Sequence, residues 1–167
     1  MKSIMFVLWI LIALLLALSL NDSTPFRPVP CALAAAKPSL PPLMATEQEV
    51  RGFFSQYIER YNKRELEEFL SLFSLRARQN QQDLLPEIRT IYTGLFNRSQ
   101  SLQLSVEDMK IEIYHNAVEV RARYAVAQEL KKGGEKRVLK GSARWVLIKE
   151  GGMLKILSID YKHEKTP

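Results

Sequence analysis

Thiols and imidazoles are nearly missing from this 167-residue chain, which has one cysteine, Cys31, and two histidines, His115 and His163. A single cysteine closes no intrachain disulfide and builds no thiolate metal site. The histidines stand far apart without ligand spacing, so neither a metal nor a cofactor is expected. A nucleic-acid footprint is missing too. The net charge is +6, from 24 Lys+Arg against 18 Asp+Glu, and from Thr46 onward it falls to +4, from 21 against 17. No stretch interleaves basic residues with stacking aromatics. The mild excess suits an anionic partner or a membrane surface, and a solvated mixed-charge surface explains the same counts.

Polar residues are scarce at the amino terminus. From Ser3 to Leu20 the chain reads SIMFVLWILIALLLALSL, with two serines as its only polar residues. As a helix this run reaches about 27 Å, close to the thickness of a hydrocarbon core. Apolar on every side, it does not suit a globular surface. Membrane targeting through residues 3–20 is expected, either as a retained anchor or as a signal peptide cleaved near Ala17-Leu18-Ser19. Cys31 follows Val29-Pro30 and lacks the small residues of a lipoprotein box. Lys2 holds the amino terminus inside, so the remainder is expected to be exported: periplasmic or extracytoplasmic, at the inner membrane. Six prolines between Pro25 and Pro42 favour an extended, semi-rigid spacer, and residues 21–45 read as a tether.

Residues 46–163 carry the patterns of one folded domain, followed by a tail at 164–167. Thr46 to Glu49 has the form of a capping box. Val50, Phe53, Phe54, Tyr57, Ile58 and Tyr61 then recur at helical period. Asn62-Lys63 breaks the helix, and Leu66, Phe69, Leu70 and Phe73 start a shorter one. SLRARQNQQ reads as a loop. Asp83 is an N-cap candidate for a third helix carrying Ile88, Tyr92, Leu95 and Phe96, with Pro86 in its first turn. After Ser101 the period changes to two. One strand bulges near Glu107-Asp108 and turns at His115-Asn116. The next places Val118, Val120, Ala122, Tyr124 and Val126 on one face. A third sets Ala143, Trp145 and Leu147 opposite Arg144, Val146 and Ile148. Gly151-Gly152 makes a tight hairpin into a fourth, Met153 to Tyr161. Three helices followed by four antiparallel strands is an α+β plan.

YIERYNKRELEEFLSLFS (57–74) and GSARWVLIKEGGMLKILSIDY (141–161) resemble the helix pair and the closing hairpin of the nuclear transport factor 2-like superfamily. The resemblance covers residues 46–163. It implies a cone-shaped barrel: three helices packed in a curved four-stranded antiparallel sheet, here preceded by the membrane helix, with a pocket between them. Members include polyketide cyclases, ketosteroid isomerases and dehydratases, and also non-catalytic binding or dimerising domains. Exported members occur beside peptidoglycan-modifying enzymes such as L,D-transpeptidases.

Catalytic members place an Asp just after the second helix, a Tyr on the first, and an acidic or His partner on the sheet. This chain reads Ser74-Leu75-Arg76-Ala77-Arg78 at the first of these positions, with no carboxylate. Proton abstraction beside a carbonyl needs a base of tuned pKa within reach, and none stands out; no residue is assigned as catalytic. Ser142 lacks triad partners. Asp160 is the best remaining carboxylate, either in the pocket or at a solvated edge. The ligand-pocket candidates are therefore Phe54, Tyr57, Tyr61, Tyr92, Tyr124, Trp145 and Asp160. Arg121, Arg123 and Arg144 form a candidate partner surface, and Val146, Ile148 and Ala125 on that face suit a homodimer. The expectation is an exported or membrane-tethered, non-catalytic domain binding a small ligand, cell wall or envelope protein. The alternative is a small-molecule isomerase, dehydratase or cyclase with an unrecognised pocket acid.

Overall fold

The computed structural model describes residues 41–164. The apolar run at 3–20 and the proline-rich stretch read as a tether, as far as residue 40, lie outside them, as does the end of the tail. Among the described residues no helix is long and apolar enough to cross a membrane. The residues leading into the domain are tied down: the Met44 N–H donates to Tyr114 O (2.9 Å), and Ala45 is buried.

Helix α1, Glu47–Lys63, starts where the sequence places it. The Glu49 N–H donates to Thr46 Oγ1 (3.2 Å) while the Thr46 N–H donates to Glu49 Oε2 (2.7 Å), so two orphan donors are satisfied reciprocally. Arg64 in the left-handed region ends it. Helix α2 is the single turn and a half Leu66–Leu70, and Phe73 belongs to the following strand instead. Helix α3, Leu85–Arg98, is capped by the Glu87 carboxylate accepting the Leu84 N–H (3.1 Å), not by Asp83. Val50, Phe53, Phe54, Tyr57 and Tyr61 of α1 are buried together with Ile88, Tyr92 and Phe96 of α3. One apolar stripe per helix faces the same core.

The fold is α+β, as the pattern indicates, but the sheet has six strands rather than four and is not wholly antiparallel. The strands are β1 (Phe73–Gln79), β2 (Asp83–Leu84), β3 (Ser99–Ile113), β4 (Val118–Leu130), β5 (Lys136–Glu150) and β6 (Met153–His163), in the order β2-β1-β6-β5-β4-β3. Strand β1 is the stretch read as a loop. It pairs parallel to β6 and antiparallel to the two-residue β2. Its inward positions include Ser74, Ala77 and Gln79, while Leu75 is 86% exposed, so no apolar alternation marks it. Strand β3 is the outer edge, and α1 covers it there: Asn62 Oδ1 accepts the Leu104 N–H (2.7 Å) that no strand takes.

Gly151 and Gly152, at φ 58° and 80°, form the two-residue turn between β5 and β6. From that turn the ladder runs Glu150 to Met153 and on to Leu147 opposite Ile156. It then resumes with Val146 opposite Ser158 and Trp145 opposite Ile159, leaving Leu157 as an extra residue. This bulge shifts the parity of the rest of β6. Ile159 and Tyr161 consequently share the face of Trp145 and Ala143, and Asp160 lies opposite Arg144.

Candidate functional site

Between the helices and the sheet lies a cavity of about 180 Å³. Helical spacing brings Tyr57 and Tyr61 of α1 to one side, and α3 adds Tyr92 and Arg98. Trp145 of β5, Tyr124 of β4, and Tyr161 and His163 of β6 complete the polar lining. Trp145, 2% exposed, stands edge-on to Phe54 (5.1 Å between ring centroids) and Tyr57 (6.2 Å). Its Nε1–H is buried and, among the described residues, has no partner within hydrogen-bond distance, although it lies near enough to the Tyr57 hydroxyl to hold that group's pKa down in part. An unmet donor of this kind carries a desolvation cost and calls for a physical reason.

At the rim, Tyr124 Oη and His163 Nδ1 are 2.8 Å apart. They reach each other across β5, because Tyr124, Gly141 and His163 form one row of the sheet and Gly141 has no side chain to intervene. Burial pushes the Tyr57 hydroxyl up to about 12, with the nearby Trp145 indole holding the rise back in part. Burial raises Tyr61 and Tyr92 as well, Tyr92 well above its ordinary value, and lifts Tyr124 to about 12. All four are neutral phenols across the physiological range. None is positioned as an anionic base. Among the described residues, none that lines the cavity is a carboxylate.

A pH dependence follows. Tyrosines whose folded-state pKa lies above the ordinary value near 10 stabilise the fold fully below pH 10, and the contribution is lost as pH rises towards the folded-state values. Thermal scans between pH 8 and 11.5 are expected to show Tm falling above about pH 10. Tyr92→Phe, which removes one buried phenol, is expected to make that fall shallower. A Tm that declines equally in wild type and variant would count against the assignment.

The structure brings Tyr57, Tyr61, Tyr92, Tyr124 and Trp145 together at the cavity. Phe54 stands behind Trp145 as packing. Asp160, a pocket candidate by sequence, lies on the opposite face of the sheet, where its carboxylate approaches Arg144 (3.7 Å). The Leu157 bulge is the reason, and the same bulge brings in Tyr161 and His163, which sequence reasoning missed. Arg98 was missed as well, although its place one turn beyond Leu95 gave a signal. Arg121, Arg123 and Arg144 do share the outer face, over a shallow groove of about 840 Å³. Arg123 pairs with Asp108 (2.6 Å), and Arg121 and Arg144 both pair with Glu119. The Arg144 guanidinium hydrogen-bonded to Glu119 holds that carboxyl below its usual range.

No protein-family model matches the chain, and no curated protein matches it by sequence. Solved structures do match in shape. One is a protein from Novosphingobium aromaticivorans assigned as a scytalone dehydratase (TM-score 0.65, 12% identity, covering 71% of this chain and 83% of that one). Another is a superfamily protein related to nuclear transport factor 2 from Salmonella enterica (TM-score 0.63, 16% identity, 71% and 91%). A third is a type 2 hexachlorocyclohexane dehydrochlorinase, LinA (TM-score 0.61, 9% identity, 71% and 84%). At these identities the likeness is one of fold.

Proposed function

We propose, on the premise that this chain has the nuclear transport factor 2-like fold of those structures, that it is a binding domain of the cell envelope. It is exported or tethered by its amino-terminal segment, and it holds one small ligand in the aromatic cavity. The observation that carries this reading is the buried Trp145 Nε1–H, which no acceptor among the described residues satisfies within hydrogen-bond distance. A ligand with one acceptor atom satisfies that donor, and the surrounding rings cover an apolar body. The volume, about 180 Å³, is below the range of drug-sized sites and near that of a cavity that takes one benzene ring. The ligand class is a single-ring or similarly small molecule. The apolar run at 3–20 and the proline-rich stretch after it support the tether.

The test is native mass spectrometry of the full chain released gently from detergent. One small molecule per chain is expected, lost on unfolding. Trp145→Phe keeps an aromatic ring but removes the donor, and is expected to lower occupancy about tenfold, the worth of one good hydrogen bond. An empty wild type, or equal occupancy in the two proteins, rules the reading out.

A second reading, a small-molecule isomerase, dehydratase or cyclase, has one observation in its favour: the Tyr124–His163 contact at the rim. His163 would be the proton acceptor, with Tyr124 orienting it. Turnover of the recovered ligand that disappears in His163→Gln, with binding retained, would establish it in place of simple binding.

A further inference from the structure

The turn between β4 and β5 stands out among the described residues. Every residue from 131 to 140 is exposed, including the first five residues of β5. Five of them are cationic: Lys131, Lys132, Lys136, Arg137 and Lys140. Only Arg137 has a carboxylate partner among the described residues, Glu135 at 3.5 Å. Between the cations sit Val138, 59% exposed, and Leu139, 40% exposed. Successive strand residues point to opposite faces, so the hairpin is apolar and basic on both sides. It is also held firmly. The Lys131 N–H donates to Arg98 O at the end of α3 (3.0 Å), and the Leu130 N–H to Glu135 O (2.9 Å).

We infer that this hairpin docks the domain on a membrane surface rich in anionic lipid. Charge complementarity is the first ground: a cluster of lysines next to exposed aliphatic side chains matches anionic headgroups over an acyl region. The residue chemistry is the second. Lysine stems lie along apolar surface while their ammonium groups reach outward, which suits a diffuse layer of charge better than the fixed geometry of a carboxylate pair. The third is position. Leu139 and Arg98 also line the aromatic cavity, so docking brings the cavity mouth to the lipid and makes a lipid-partitioning ligand the natural occupant. That last step rests on the ligand reading above, and the docking itself does not.

The experiment uses the full chain with Cys31→Ser and Val138→Cys, labelled with an environment-sensitive fluorophore and reconstituted into vesicles. These contain phosphatidylcholine alone or with about one third phosphatidylglycerol. A chain with Met153→Cys, labelled at the exposed β5–β6 turn, is the reference. The label at position 138 is expected to shift blue and brighten about twofold on anionic vesicles only, and to revert in roughly 0.5 M salt, where screening is short-ranged. Replacing Lys132 and Lys136 with glutamine is expected to weaken the response about fivefold for each charge removed. Equal responses at positions 138 and 153 would overturn docking, since anchoring alone would produce them. An equal response on neutral vesicles would overturn the charge argument. A water-like signal on both vesicle types would overturn the proposal outright and turn the search to an acidic protein partner. An empty cavity in the mass spectrum would leave every one of these outcomes unchanged.

Discussion

Phe69→Ala is expected to cost about 3–5 kcal/mol of folding stability, the range for deleting a fully buried aromatic ring. Phe69 has no exposed surface and is the hub of the aromatic core. Five rings surround it: Tyr92 at 4.7 Å between centroids, Tyr57 at 5.1 Å, Phe73 at 5.4 Å, Tyr61 at 5.7 Å and Phe96 at 5.8 Å. Most of these pairs are edge-to-face, an arrangement that stabilises beyond the area it buries. The neighbours come from both long helices and from β1, so inward collapse by one element would pull it off another. Only partial relaxation is available, and the cavity term stays large. Against a typical total of about 5–15 kcal/mol, that loss is a large share of the stability. Urea denaturation should show a much lower midpoint with an unchanged slope, and Phe69→Leu should recover more than half the loss. A cost below about 1 kcal/mol would mean that the hub is not where the structure puts it.

Gly141→Ala is the second large effect, and its cause is space rather than backbone freedom. A Cβ built there falls far inside contact distance of the Lys162 carbonyl oxygen, and 2.8 Å from Tyr124 Oη. A flexible side-chain end can give way, but a backbone carbonyl in the β5–β6 ladder cannot do so without breaking pairing. Overpacking of this kind costs about 1–3 kcal/mol. It should also separate Tyr124 from His163, read as a change in the His163 imidazole resonances. Gly52→Ala and Gly94→Ala are the controls. Both lie within helices with nothing within 4 Å of the new methyl, so each is expected to stabilise by about 0.4–1 kcal/mol. If all three substitutions behaved alike, the steric account of Gly141 would be wrong.

Much of this architecture can be read in the residues, and the parts that cannot share a cause. The capping box at Thr46, the aromatic stripe of α1 and the alternation in β4 and β5 are local patterns. They are written in consecutive residues and came through in the structure. Strand β1 is held by β6, far along the chain, and beyond Phe73 its inward side chains are a serine, an alanine and a glutamine. Nothing within SLRARQNQQ says so. Tyr57, Tyr61, Tyr92, Tyr124 and Trp145 were legible as site candidates because apolar periodicity points them inward. Asp160 and His163 depended on the register of β6, and a bulge has no dependable sequence mark. Parity can be read from a strand, but not the place where it slips.

That slip bears on how this chain can be compared with its relatives in shape. Without Leu157 as an extra residue, the glycine turn would set Asp160 opposite Ala143 and give the interior a carboxylate. With it, the interior receives a phenol and an imidazole from Tyr161 and His163, which follow that acid. Two chains aligned column by column along this strand, and differing only in the bulge, would present opposite inventories of chemical groups to a bound molecule. For this strand, the place where the register slips therefore sets the groups facing the interior as much as the identity of any one residue does. An alignment that scores residue identity and ignores strand parity would miss the change.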